Sequence, residues 1–163
     1  MVFVSLCEPL WYSFHLEKGL KNQMLKKLKT LYHLSPRRKY LLLLAFGLSL
    51  YGFLLMLFFK KYATFGEREN RIAPDNVPNP IVVDIRYVIF VVSKYVPWQN
   101  VCRHQAYQAK ILFSMYDIPY QIFVGFKKNE DGKIDGHAWA MAGGLMITGF
   151  CNPDEYVVQS VFS

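Results

Sequence analysis

Runs of apolar and polar positions divide this chain into helical and strand-like segments. Tyr40 to Phe59 is twenty residues without a charge, bracketed by Arg37-Arg38-Lys39 and Lys60-Lys61. That is long enough for a membrane-spanning helix. Ser35-Pro36 supplies its start, with Ser35 as N-cap and Pro36 at the first helical position. Ile81 to Val96 is mostly apolar with Asp84, Arg86 and Lys94 spaced through it, and reads as a helix leading to a turn at Pro97. From Arg103 to Tyr116, Ala106, Ala109, Ile111, Leu112 and Met115 recur at helical spacing, with Asn100 the expected N-cap. Asp117-Ile118-Pro119 ends that helix, because a residue before proline disfavours helical angles.

Beyond Pro119 the period changes to two. Tyr120 to Lys127 places Tyr120, Ile122, Val124 and Phe126 on one face, and the Asn129 to Gly132 stretch closes a hairpin into Ile134 to Ala142. In that second strand His137, Trp139 and Met141 share a face, while Ala138, Ala140 and Ala142 leave room for close packing on the other. Gly143-Gly144 turns the chain into Leu145 to Phe150, and Tyr156 to Phe162 forms a last strand. The fold class predicted is α+β: a helix that begins at Cys102 packed on an antiparallel sheet that carries His137, with an N-terminal hydrophobic helix.

Four stretches follow: a basic helical segment over 1–39, the hydrophobic helix and its tail over 40–72, a linker over 73–80 with three prolines and two asparagines, and a catalytic core over 81–163. Lys18, Lys21, Lys26, Lys27, Lys29, Arg37, Arg38 and Lys39 crowd the first part of a chain whose net charge is +7. That charge suits an anionic surface, either lipid headgroups or an acidic peptide. No nucleic-acid-binding motif accompanies it, so no nucleic-acid partner is expected. Three cysteines, at 7, 102 and 151, form an odd set without short spacing, which argues against a disulfide framework and for a reducing compartment. The positive-inside rule would keep residues 1–39 in the cytosol and export the core if 40–59 crossed a bilayer. A buried or in-plane helix avoids that conflict and would supply apolar core to a small domain. The expected location is cytoplasmic, associated with the inner face of the cell membrane.

Cys102 and His137 carry the candidate chemistry. The first turn of a helix offers a thiolate backbone N–H groups and the positive end of the helix dipole. Cysteine at a helix start, then a hairpin, then histidine on a strand is the order of papain-like and transglutaminase-like thiol enzymes. A lone cysteine is more often a small buried hydrophobe, and a lone strand histidine is more often structural. A zinc set of Cys102, His104, His137 and Cys151 is the third reading, against which the tight Cys-x-His spacing speaks.

The run Trp98-x-x-x-Cys102, the helix after it, Asp117-Ile118-Pro119-Tyr120, Val124-Gly125-Phe126, His137-Ala138-Trp139 and Thr148-Gly149 resembles the stand-alone B-type leader peptidases of lasso-peptide biosynthesis, a branch of the transglutaminase-like superfamily. Leu34-Ser35-Pro36-Arg37-Arg38 before a leucine-rich helix extends the similarity upstream, so that it covers roughly Leu31 to Ser163. The resemblance implies a papain/transglutaminase-like core in which Cys102 attacks the peptide bond joining leader to core peptide and His137 serves as base and then acid. It implies no metal or organic cofactor. The freed core N-terminus would pass to an ATP-dependent, asparagine-synthetase-like lasso cyclase. This family usually places an Asp twelve residues after the histidine, a position held here by Gly149. Thr148 on the neighbouring strand, or Asn152 and Asp154 in the loop beyond, are candidates to orient the imidazole. Gln99 and Asn100 are candidate oxyanion partners beside the Cys102 N–H, and Trp139 a candidate substrate contact.

Residues 1–76 show no alternating strand pattern. The family's winged-helix leader-recognition module is therefore expected in a separate partner protein. Two other functions are consistent with the sequence: a transglutaminase-like acyl transferase or amidase, and an inactive membrane-tethered scaffold for the maturation complex.

Overall fold

In the computed structural model, residues 32–59, 65, 79–128 and 131–163 are described. The basic segment before Tyr32, most of the stretch between the second pair of lysines and Asn79, and the hairpin tip at Asn129-Glu130 lie outside the described residues, and with them the proposed N-terminal helix and most of the 73–80 linker. The chain divides into two compact units, Met1–Lys39 and Tyr40–Ser163.

Helix α1 spans Pro36–Phe59. As the sequence predicts, Ser35 caps it, its Oγ accepting from the Arg38 N–H at 3.3 Å. Helix α2, Pro80–Tyr95, opens on Asn79, whose side-chain oxygen accepts from the Ile81 N–H at 3.1 Å. Helix α3 covers Cys102–Ser114, and here the cap differs from expectation. Val101 occupies the N-cap with no side-chain bond. Asn100 lies one residue outside, where α3 claims it differently: its Oδ1 accepts from Gln108 Nε2 at 2.8 Å and its main-chain oxygen from Gln105 Nε2 at 2.7 Å. At the far end Asp117 takes φ 50°, a left-handed angle that aspartate tolerates, and the Ile118 N–H returns to the Phe113 carbonyl at 3.1 Å.

Strands β1 (Gln121–Lys128), β2 (Ile134–Ala142), β3 (Leu145–Thr148) and β4 (Val157–Phe162) form one antiparallel sheet in the order β3-β2-β1-β4. The alternation assigns the two faces as the sequence predicts. Ala138, Ala140, Ala142 and Ile122 join Ala106, Ala109, Leu112 and Phe113 of α3, and Ile85, Val88 and Ile89 of α2, in the core. Alanines on both the strand and the helix let the α3 backbone lie close to the sheet, so the helix that starts at Cys102 is held by packing rather than by a cap.

The hydrophobic helix belongs to this core. Leu41, Ala45, Ser49 and Gly52 are its buried residues, and their spacing makes a stripe of mostly small side chains along one face. An added Cβ at Gly52 would lie 3.7 Å from the His104 ring. Ser49 Oγ accepts from the Trp98 indole N–H at 2.9 Å, and the Trp98 ring lies against Phe46 and Phe53 at centroid distances of 5.5 and 5.7 Å. The loop that delivers Cys102 is thus anchored on α1.

Since a methyl group at Gly52 meets only ordinary van der Waals contact, Gly52→Ala is expected to raise stability by roughly 0.5–1 kcal/mol through helix propensity. Gly52→Leu should lower it by about 1–3 kcal/mol through overpacking against His104. Denaturant unfolding of both variants checks the pair, and a destabilised alanine variant would contradict the packing described.

Candidate active site

Cys102 is the first residue of α3 and is half-buried at the margin of the core. The first α3 bond runs from the Gln105 N–H to the Val101 carbonyl at 3.1 Å, so the Cys102 N–H precedes the helical ladder. The next residue but one, His104, is buried and faces Gly52 of α1. Burial is the main cause that lowers its pKa from the ordinary 6.5; contact with the Gln99 backbone opposes this, and the neighbouring Arg103 charge adds to it. His104 is therefore packed as a neutral side chain. With that ring turned to α1, the four-residue zinc set is not assembled, and no group of three His, Cys, Asp or Glu among the described residues is placed to hold a metal ion.

His137 belongs to an aromatic layer on the other face of β2 from the alanines. Its ring stacks on Tyr156 at 5.3 Å and on Trp139 at 6.2 Å, and Trp139 in turn stacks on Phe123 at 5.4 Å. Gly125 makes this possible. It pairs with His137, and a Cβ there would stand 2.9 Å from the Val157 carbonyl oxygen and 3.3 Å from the Trp139 ring. Trp139 is only 2 % exposed, so its ring packs the layer rather than lining an open subsite.

The orienting group for His137 is where side-chain reasoning could not find it. The His137 Nε2 lies 2.9 Å from the Gly149 carbonyl oxygen. A carbonyl can only accept, so Nε2 is the donor in this bond. The register that brings this about carries a bulge. A shift between Ala140 and Met141 places the extra residue in β3, pairing Met141 with Met146 and Ala140 with Thr148. Continued, that register sets Gly149 beside Trp139 rather than opposite His137. Gly149 has φ 65°, and a Cβ on it would overlap the Ala138 carbonyl oxygen and stand 3.0 Å from Trp139 Cα. No aspartate fits at 149 on this backbone; the main chain occupies the space and presents its own oxygen. The signal in the sequence was an isolated glycine directly after a strand, which marks close backbone approach.

The remaining candidates sit as follows. Thr148 is buried with its Oγ1 unpaired, on the Ala140 face. Asn152 is exposed and caps the turn Pro153–Glu155, accepting from the Asp154 N–H and donating to Glu155 Oε1, each at 3.4 Å. Asp154 is exposed in the same turn. Neither bonds to His137. Gln99 is exposed, and the Asn100 side chain is committed to Gln108. Cys151 follows β3, with its N–H directed to Met146 Sδ at 3.5 Å. Burial, and then the Glu155 carboxylate, push its thiol pKa up, which leaves it a poor nucleophile at neutral pH. Cys7 lies outside the described residues. No hydrogen bond joins Cys102 to His137 among the described residues, and the face of β2 that carries His137 is not the one on which α3 packs. Tyr156 and the ion pair beside it were not foreseen. Lys127 donates to Glu155 at 3.0 Å and lies 4.9 Å over the Tyr156 ring, so that the aromatic layer around His137 has a charged rim.

Residues 42–161 match the family model of the transglutaminase-like superfamily. The chain belongs to that superfamily, which includes cysteine peptidases and acyltransferases and in which cysteine-based catalysis is common. Neither a curated protein nor a solved structure matches it.

Two outcomes are expected from this geometry. Gly149→Ala and Gly149→Asp should each cost about 1–3 kcal/mol or more, since both strain the positive φ and force the main chain away from Ala138. A Gly149→Asp protein as stable as the parent, by thermal unfolding, would contradict the close approach. The second outcome concerns His104. Its folded pKa lies below the unfolded 6.5, so the unfolded chain binds the proton first. Stability is then fully present above that value and is lost as pH falls below it. Melting temperature followed from pH 8 to pH 5 should decline at the acid end, and His104→Gln should flatten the decline.

Proposed function

We propose that this protein is a cysteine peptidase that removes the leader from a ribosomally made lasso-peptide precursor. The observation that carries the chemistry is the His137 imidazole held at Nε2 by the Gly149 carbonyl, which leaves Nδ1 as the base, in a superfamily member whose Cys102 opens a helix. The lasso-peptide assignment rests on the order and spacing of the Trp98, Cys102, Asp117-Ile118-Pro119 and His137-Ala138-Trp139 motifs.

In this reading Nδ1 takes the Cys102 thiol proton as the sulfur attacks the scissile carbonyl carbon. The oxyanion that forms meets the Cys102 N–H at the helix start. Collapse breaks the C–N bond, and the imidazolium gives its proton to the departing amine, the new N-terminus of the core peptide. The leader remains as a thioester on Cys102. Water then attacks it with His137 again as base, releasing the leader carboxylate and the thiol. A separate leader-binding protein would present the precursor, and a lasso cyclase would consume the freed amine.

Purified protein incubated with precursor and leader-binding partner, with products read by mass spectrometry, tests the proposal. Leader and core should appear as simple hydrolysis products. Cys102→Ala and His137→Ala should each lower the rate by roughly 10³-fold or more, and the double variant should be about as inactive as either. Cys151→Ser should keep most of the activity. Activity lost in Cys151→Ser and kept in Cys102→Ala would overturn the assignment of the nucleophile. Products carrying an added amine in place of a free leader carboxylate would identify an acyl transferase instead.

A further inference from the structure

Helix α1 has two unlike sides. Leu41, Ala45, Ser49 and Gly52 are buried in the domain. The opposite side presents Tyr40, Leu43, Tyr51, Leu54, Leu57 and Phe58, with Leu43 at 71 % and Phe58 at 70 % exposure. By helical spacing Leu43, Leu54 and Phe58 fall in one line, on the far side from Ala45 and Gly52. No acid and no base interrupts the helix between Lys39 and Lys60.

The charge that flanks this helix in the sequence is one-sided. Between Glu17 and Glu67 the chain has no Asp or Glu and has ten Lys or Arg, at 18, 21, 26, 27, 29, 37, 38, 39, 60 and 61. The chain as a whole has 19 basic and 12 acidic side chains, so outside this stretch the acids outnumber the bases. The positive charge of the protein is thus a property of the sequence that flanks the apolar helix. An interface for a folded partner ordinarily carries a polar rim and a hydrogen bond for about every 100–200 Å². This face offers only the tyrosine hydroxyls of Tyr40 and Tyr51 as polar groups. Apolar and aromatic side chains flanked by lysine and arginine are what a bilayer surface of anionic lipid accepts.

We infer that α1 lies in the plane of an anionic membrane, with its Leu43–Phe58 face in the headgroup and upper acyl region and its small-residue face carrying the enzyme. A span is inconsistent with the packing. From Leu41 to Gly52 the helix runs roughly 17 Å against protein, including the Trp98 and His104 contacts, and a hydrocarbon core about 30 Å thick cannot be crossed with that side occupied. The membrane helix is then the same element that anchors the Trp98 loop before Cys102, so the candidate active site is borne directly on the membrane-bound element. This inference does not rest on the leader-peptidase reading.

Flotation of the full chain with vesicles of phosphatidylcholine, with and without phosphatidylglycerol, tests it. The protein should bind the phosphatidylglycerol vesicles, bind neutral ones at least tenfold less, and be released by alkaline carbonate. Leu43→Glu with Leu54→Glu, both at exposed positions, should lower binding by about tenfold or more with an unchanged circular dichroism spectrum. Should that variant fail to fold, Arg37→Gln, Arg38→Gln and Lys39→Gln together should remove the preference for anionic vesicles without touching the apolar face. Retention in the carbonate pellet would mean a span and overturn the inference. So would equal binding to both vesicles, or unchanged binding by a folded variant. Absence of vesicle binding together with a concentration-dependent dimer on gel filtration would assign the face to a second copy of the chain, and would equally overturn it.

Discussion

The contact on which the rest depends is the one between the small face of α1 and the segment that enters α3. α3 has no side-chain N-cap, and Asn100, the cap expected from the sequence, is bonded to Gln108 instead. What fixes its first turn is packing: His104 against Gly52, Trp98 hydrogen-bonded to Ser49 and laid on Phe46 and Phe53, and the alanines of α3 against those of β2. Each of these requires a small residue on one side. A leucine at 49 or 52 would leave the helix as apolar as before yet push the Cys102 turn outward. The small residues on α1 are therefore part of what positions the start of α3.

On the sheet side the same economy of space replaces a carboxylate with a backbone. Related enzymes orient the histidine with an acid, which holds the tautomer and also stabilises the imidazolium electrostatically. The Gly149 carbonyl supplies the first function in full, because an acceptor at 2.9 Å from Nε2 keeps the proton there. Its contribution to the second is that of a dipole rather than a full charge. The aromatic layer of Tyr156, Trp139 and Phe123 shields one side of the ring from water, which strengthens that dipole's effect.

Placing the enzyme on a membrane through α1 would confine it to two dimensions. Under the proposed function, a surface-bound peptidase would gain effective concentration with a leader-binding partner and a cyclase that also reside at the membrane.

The chain's periodicities announced nearly every element: the Ser35-Pro36 start, the helix over 81–96, the hairpin and even which face of β2 is core, since alternation and helical spacing are local consequences of which side must leave water. The local settings of Cys102, at a helix start, and His137, on a strand, were legible for the same reason. Three things were decided by tertiary structure alone. Asn100 is not the cap, because Gln108, two helical turns into α3, competes for its oxygen. α1 buries one face, Leu41, Ala45, Ser49 and Gly52, in the domain and leaves the other exposed, and composition could not say which residues face which way, as an all-apolar helix carries no polar side to mark its orientation. The histidine's partner is a main-chain oxygen, which every residue possesses and no sequence can single out; only the bulge in β3 and the left-handed Gly149 bring that one oxygen to the ring.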